Sequence, residues 1–160
     1  MEEKTTSSKR VSESRTQQVN IVMPAQANGT NRLFGGQLME WIDVVAGVVA
    51  RRHACLPVTT ACVDNLQFKR PANLNDTVVL DGRITYAGRT SMEVRVDTFI
   101  EALDGTRALC NVAYLVLVAI GPDGRPAEVP GVIPETEEER REWEAGKARS
   151  VLRKQRRSEQ

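Results

Sequence analysis

A long apolar stretch over residues 36–52 constrains the fold more than any other part of the sequence. Its large apolar side chains recur at the i, i+3, i+4 and i+7 spacing that forms one stripe along a helix: Leu38, Trp41, Ile42, Val45, Val48 and Val49. The opposite side is also small or apolar, with Val44, Ala46, Gly47 and Ala50. The pattern therefore predicts a helix enclosed by the rest of the chain. Leu56-Pro57 ends it, because the residue before a proline disfavours helical geometry.

Asp43 introduces a carboxylate into the middle of this apolar helix. Burying a charge costs free energy unless the group is paired or has a chemical task. An ion-paired or partly exposed aspartate is the structural alternative. We favour a functional role for Asp43 because of the segment that precedes the helix.

That segment is a polar loop with Asn28 and Asn31, followed by Gly35 and Gly36 at the predicted helix start. Glycines let another molecule approach the first N–H groups of a helix, which lack helical acceptors and lie at the positive end of the helix dipole. Such N–H groups suit a carbonyl oxygen that develops negative charge. A glycine pair alone often makes only a turn; Asn28 and Asp43 nearby strengthen the functional interpretation.

The rest of the chain has the alternation of β-strands. A short strand is predicted over residues 17–23 and four longer ones follow the helix, over residues 58–68, 77–86, 91–102 and 107–120. One strand, one enclosed helix and four strands joined by hairpin-like turns indicate an α+β fold in which an antiparallel sheet wraps around the helix. In residues 91–102, Met92 and Val94 alternate with Glu93 and Arg95, which predicts a strand with one buried face.

Composition places the chain in a class and divides it into segments. A length of 160 residues suits one domain, and 22 basic against 21 acidic residues argue against a protein built mainly to bind nucleic acid. No apolar run approaches the length of a membrane span, and residues 1–18 lack the apolar core of a signal peptide, so we expect neither. The three cysteines are typical of reduced thiols in a cytoplasmic protein. We expect a disordered tail over residues 1–15, a domain over residues 16–133 and a charged helical tail over residues 134–160.

Residues 28–36, NGTNRLFGG, with Asp43 seven residues after the last glycine, resemble the signature of the hot-dog-fold acyl-CoA thioesterases, in particular the YciA-like and brain acyl-CoA hydrolase group. The similarity runs from about residue 16 to residue 130 and includes the segment YAGRTSM at residues 86–92. It implies the hot-dog fold and a catalytic pair at Asn28 and Asp43. Asn31 stands where the family commonly has glycine, but asparagine tolerates left-handed backbone angles.

The expected reaction is hydrolysis of an acyl-CoA thioester, with coenzyme A as part of the substrate and no separate cofactor or metal. The N–H of Gly36, with that of Gly35, would polarise the carbonyl. Asp43 would act as general base or as nucleophile, and Asn28 would orient the water or the carbonyl. Because Asp43 lies about 10 Å from the helix start, we predict a site shared across a two-fold dimer, as the resemblance also implies. We expect further assembly into a dimer of dimers or a trimer of dimers.

Two segments are candidates for binding the phosphates of coenzyme A. The turn of Gly88, Arg89, Thr90 and Ser91 offers backbone N–H groups, two hydroxyls and a guanidinium, and it matches the phosphate-contacting turn that the resemblance suggests. An ordinary polar hairpin is the alternative. Lys69 and Arg70 are second candidates, although basic residues at a strand end are more often only solvated.

Other interpretations concern the tail and the single histidine. The tail carries acids over residues 135–144 and bases over residues 145–160, an order that suits the helix dipole. We interpret it as a solvated helix, with phosphate contact as the alternative. A dehydratase or hydratase of the same fold generally uses a catalytic histidine. The single histidine of this chain, His53, sits on no matching motif, which argues against that class. A non-catalytic acyl-CoA-binding sensor is the other alternative, and Asn28 and Asp43 argue against it.

Overall fold

The computed structural model describes residues 7–160, without the side chain of Asn65. Within these residues, seven strands and two α-helices follow one another: β1 (Lys9–Arg10), β2 (Thr16–Ile21), α1 (Gly35–Ala54), β3 (Val58–Phe68), β4 (Thr77–Ala87), β5 (Ser91–Glu101), β6 (Arg107–Ala119), β7 (Val132–Ile133) and α2 (Glu137–Ser158). The four strands predicted after residue 57 are confirmed within one residue at each end.

The main sheet has five antiparallel strands in the order β2-β4-β5-β6-β3 and wraps around α1. The helix contributes Ile42, Val45 and Val49 to the core, each no more than 2% exposed. At Gly82 of β4, a Cβ atom would lie 2.6 Å from the Val45 side chain, so glycine is required for this close approach of helix and sheet. The predicted α+β hot-dog architecture, an antiparallel sheet wrapped around one long helix, is confirmed.

One face of α1 is open within a single chain, contrary to the predicted full enclosure. Val44 is 52% exposed, and the neighbouring Asp43 is exposed as well. The sheet covers only the side of the helix that carries Ile42 and Val45, which are 2% and 1% exposed. The helix ends at Ala54 and is capped by Cys55, which has the left-handed backbone angle φ of 55° and whose N–H donates to the Arg51 carbonyl.

Residues 9–13 are ordered, unlike the disordered tail predicted for residues 1–15. Strand β1 pairs in parallel with β7, and Val11 is 3% exposed in the core. The polar composition of the segment hid this single apolar anchor and a pairing partner more than a hundred residues away. Residues 1–6 lie outside the described residues.

The second helix packs on the opposite face of the sheet, so it differs from the predicted solvated helix. Side chains of β5 alternate between the two faces: Met92 and Val94 face α1, whereas Glu93 is 1% exposed beneath α2. At Gly146, a Cβ atom would lie 2.8 Å from Tyr86 and 2.9 Å from Glu93, so α2 approaches the sheet closely. Both faces of β5 are therefore covered, not one. Among residues 7–160, no helix combines the length and apolar character needed to cross a membrane.

Candidate active site

Hydrogen bonds within the loop hold Asn28 in one orientation. Its side-chain oxygen Oδ1 accepts from the Thr30 N–H at 2.9 Å, the Thr30 hydroxyl at 2.7 Å and the Arg32 N–H at 3.2 Å. These donors assign the oxygen, so the amide nitrogen Nδ2 is the atom left to donate outward. Asn31 adopts a φ of 58°, as its tolerance of left-handed angles predicts.

The glycine pair begins α1 and leaves its first N–H groups open. The first hydrogen bonds of the helix run from the Gln37 and Leu38 N–H groups to the Phe34 carbonyl. Among residues 7–160, no backbone carbonyl accepts from the N–H of Gly35 or Gly36. A Cβ atom at Gly36 would lie 2.6 Å from the Phe34 ring. The absence of a side chain therefore serves both the local fold and access to the helix N-terminus.

Asp43 is held by a residue that the sequence did not single out. The Thr60 hydroxyl on β3 donates to Asp43 Oδ1 at 2.6 Å. The bond joins residues 17 positions apart on a helix and a strand, and nothing in the local sequence of Thr60 distinguishes it from other strand threonines. It fixes the carboxylate on the open face of α1 and leaves Oδ2 without an intramolecular donor among the described residues.

The two halves of the predicted catalytic pair line different clefts. Asn28 and Gly35 line a cleft of about 360 Å³, whereas Asp43 and Thr60 line another of about 260 Å³. Asp43 follows Gly36 by seven residues along α1, a separation of about 10 Å. A single chain does not bring these groups onto one carbonyl.

Of the predicted phosphate-binding residues, Lys69 and Arg70 line the same cleft as Asn28. The Gly88–Ser91 turn lies elsewhere, at the β4–β5 hairpin, where the Gly88 N–H donates to the Ser91 carbonyl at 2.8 Å. Ser91 lines a third cleft beside the end of α2. The structure therefore separates the two candidate groups.

His53 lines neither of the two clefts that carry the predicted catalytic residues. It is fully buried near the end of α1, and its Nε2–H donates to the Pro130 carbonyl at 2.8 Å. Burial lowers the pKa of His53, although the Pro130 bond opposes the shift. Within residues 7–160, no three His, Cys, Asp or Glu side chains form a group that could hold a metal ion.

Comparison with known proteins identifies the family of this chain. Residues 30–104 match the Thioesterase superfamily. The uncharacterized acyl-CoA thioester hydrolase YkhA of Bacillus subtilis is 41% identical over 128 residues, which cover 79% of this chain and 74% of YkhA.

Two solved structures extend the similarity to the fold. The acyl-CoA hydrolase of Staphylococcus aureus, in complex with butyryl coenzyme A, coenzyme A and coenzyme A disulfide, has a TM-score of 0.89 and 36% identity, covering 94% of this chain and 93% of the other. An apo-hexameric acyl-CoA thioesterase has a TM-score of 0.89 and 40% identity, covering 94% and 97%. The S. aureus hydrolase has also been solved with its Asn28, Asp43 or Thr60 changed to alanine. The chain therefore belongs to the thioesterase superfamily, among its acyl-CoA thioester hydrolases.

Proposed function

We propose that this protein hydrolyses acyl-CoA thioesters to a free acid and coenzyme A, at a site formed between two copies of the chain. The observation that carries the proposal is the position of Asp43. Thr60 orients its carboxylate on the open face of α1, about 10 Å from the glycine N–H groups at the start of the same helix. Family membership supports the choice of thioester as substrate.

Two-fold symmetry joins the separated groups. When two α1 helices run antiparallel along their open faces, Asp43 of one copy lies beside the N-terminus of α1 of the other. The exposed Val44 next to Asp43 supplies an apolar contact for that packing. Each dimer then has two equivalent sites, and each site draws Asn28 and Gly36 from one copy and Asp43 from the other.

The chemistry follows from these groups. The N–H of Gly36, with that of Gly35, donates to the thioester carbonyl oxygen and stabilises the negative charge that develops there. The Nδ2 of Asn28 donates to the same oxygen or to the attacking water. Asp43 either removes a proton from water as it attacks the carbonyl carbon, or attacks that carbon itself and forms an anhydride that water then cleaves. In both routes the C–S bond breaks and the CoA thiolate takes up a proton.

The same proposal covers substrate binding, assembly and location. Lys69 and Arg70 contact coenzyme A phosphates from the cleft of Asn28, and the Gly88–Ser91 turn contacts them from the hairpin. Dimers assemble further into a trimer of dimers or a dimer of dimers, for which the hexameric relative is the support. A cytoplasmic location remains our prediction from the composition and cysteine usage.

Release of free thiol from a panel of short- to long-chain acyl-CoAs tests the function. Asp43→Asn keeps the size of the side chain and removes its basicity, so kcat is expected to fall about 100- to 10,000-fold. Glu40→Gln, on the same helix, is the matched control and is expected to retain activity. Tight binding of acyl-CoA without turnover in the wild type would contradict the proposal and favour a sensor, and an active Asp43→Asn protein would remove Asp43 from the chemistry.

A further inference from the structure

A third cleft, of about 280 Å³, lies on the outer face of the sheet where α2 ends. We call it the arginine cleft, after Arg153, Arg156 and Arg157. Its floor is formed by strands β3 and β6, and its rim by the last turns of α2. The lining residues include Val116 and Val118 on the floor, Ser91 at one end, and Arg153, Arg156 and Arg157 on the rim. The cleft therefore combines an apolar floor with a rim of three guanidinium groups.

The three arginines differ in how they are used. Arg153 is 14% exposed in its side chain and bonded to Glu93 at 3.1 Å, with Asp64 at 3.6 Å. Its charge is therefore matched within the chain, as is that of Asp64, the one carboxylate lining the cleft. Arg156 and Arg157 are exposed and have no ion-pair partner among residues 7–160. The cleft thus carries two positive charges that the described part of the chain leaves uncompensated.

These arginines sit on a helix that is firmly held. Glu93 accepts hydrogen bonds from Arg149 at 2.8 and 3.0 Å and from the Thr85 hydroxyl at 2.7 Å. Burial raises the pKa of Glu93, but the bonds from Arg149 and Thr85 outweigh it and leave the pKa below its ordinary value. Arg149 and Arg153 thus tie the C-terminal half of α2 to the sheet, and Arg156 and Arg157 follow in the next turn of the same helix.

The position of the cleft relates it to the proposed catalytic groups. Thr60 and Leu117 line the cleft of Asp43, and their neighbours Cys62 and Val116 line the arginine cleft. Both clefts therefore back onto the same two strands. Ser91 ends the Gly88–Ser91 turn, so the arginine cleft continues one of the two predicted phosphate-contacting segments.

We propose, on the basis of the proposed function, that the arginine cleft binds a phosphorylated nucleotide. Arg156 and Arg157 contact its phosphate, and Val116 and Val118 lie under its base. Guanidinium groups bind phosphate with paired, charge-assisted hydrogen bonds and also stack on planar rings. The nucleotide end of coenzyme A has this chemistry, and so does a separate nucleotide. Arg156 and Arg157 then determine how tightly the substrate binds without touching the thioester.

Calorimetric titration with coenzyme A and with ADP tests the cleft independently of turnover. The Arg156→Ala/Arg157→Ala protein is expected to bind one or both ligands about tenfold more weakly than the wild type, in proportion to the lost charge-assisted bonds. The control, Arg141→Ala/Lys154→Ala, removes two charges from exposed positions of α2 outside the cleft and is expected to bind normally. Equal binding by the two double variants would overturn the proposal.

Two further arms identify the source of the nucleotide and separate this inference from the proposed function. ADP that competes with coenzyme A assigns the cleft to the substrate, whereas ADP that binds at saturating coenzyme A assigns it to a separate nucleotide. Hydrolysis of butyryl-N-acetylcysteamine, a thioester without phosphates, is expected to be unchanged in the arginine variant. If the wild type cleaves no thioester, but the arginine variant binds nucleotide more weakly than the wild type, the proposed hydrolase function is wrong and the nucleotide site stands.

Discussion

The two helices lie on opposite faces of the same sheet and are held there by different interactions. Between α1 and the sheet the contacts are apolar, with Ile42 2% and Val45 1% exposed. Between α2 and the sheet they are mostly ionic, as in the bonds from Arg149 to Glu93 and from Arg95 to Glu142. Aromatic packing of Tyr86 against Trp143 supplements them.

The difference separates two tasks. Apolar burial is not directional, and it secures one side of α1 while the other side, with Asp43 and Val44, stays exposed, as the proposed dimer requires. Charge-assisted hydrogen bonds are directional, and they fix the rotation of α2 on the sheet. Arg156 and Arg157 therefore line the arginine cleft. A substitution can therefore perturb one interface and leave the other intact.

The largest effect on stability is expected at the apolar interface. Ile42→Ala removes a fully buried side chain, so the free energy of unfolding should fall by about 2–5 kcal/mol. Val44→Ala, on the open face, should change the unfolding of a single chain by less than about 0.5 kcal/mol but weaken self-association. Urea unfolding and analytical ultracentrifugation measure the two quantities; equal destabilisation by both variants would contradict the open face.

A smaller effect is expected at the ionic interface. Glu93→Gln leaves Arg149 and Arg153 without their carboxylate and should lower the free energy of unfolding by about 1–3 kcal/mol. Because those two arginines join the C-terminal half of α2 to the sheet, its amides should exchange hydrogen faster while those of α1 do not. Glu144→Gln, at an exposed position of α2, is the control. Unchanged exchange in α2 would show that packing alone holds the helix.

The hydroxyl that orients Asp43 should contribute less still. Thr60→Val keeps the shape of the side chain and removes the donor, so kcat is expected to fall about tenfold with little change in KM. Thr59→Val, at the preceding position, controls for a general effect on β3. Wild-type kcat in Thr60→Val would mean that the hydrogen bond does not position the carboxylate.

Acid should weaken the protein in two separate pH windows, and this is the smallest expected effect. His53 has a lowered pKa in the fold, so below its ordinary value of 6.5 the unfolded chain binds a proton that the folded chain does not, and stability declines. Glu93 also has a lowered pKa, so its contribution is present above the ordinary value of 4.5 and is lost at lower pH. In a pH series of unfolding free energies, His53→Gln should flatten only the upper window. If the free energy of unfolding of His53→Gln depends on pH as that of the wild type does, the upper window does not belong to His53.

Most of the inner layer could be predicted from the sequence because its pattern is local. The spacing of Leu38, Ile42 and Val45 defines α1, and alternation defines the strands within one residue at most ends. The glycine pair could be placed at the helix start for the same reason. These features depend on residues close together in the chain.

The outer layer could not be predicted because its contacts join distant residues. Glu93 and Arg95 have the pattern of a solvent-facing strand, and only Arg149, 56 positions beyond Glu93, shows that they are covered. Thr60 likewise acquires its significance from Asp43 across 17 positions. Val11 is a single apolar residue in a polar segment, so neither its burial nor the β1–β7 pairing has a local signal.

The measurement that tests the shared site most directly is activity after mixing two inactive variants. Asn28→Ala and Asp43→Asn proteins are each expected to be nearly inactive, and they are unfolded together and refolded to exchange subunits. A mixed dimer then has one site with both Asn28 and Asp43 intact, so a random mixture should recover about a quarter of wild-type activity. No recovery, in a mixture shown to contain mixed dimers, would place both residues of a working site in the same chain and contradict the account.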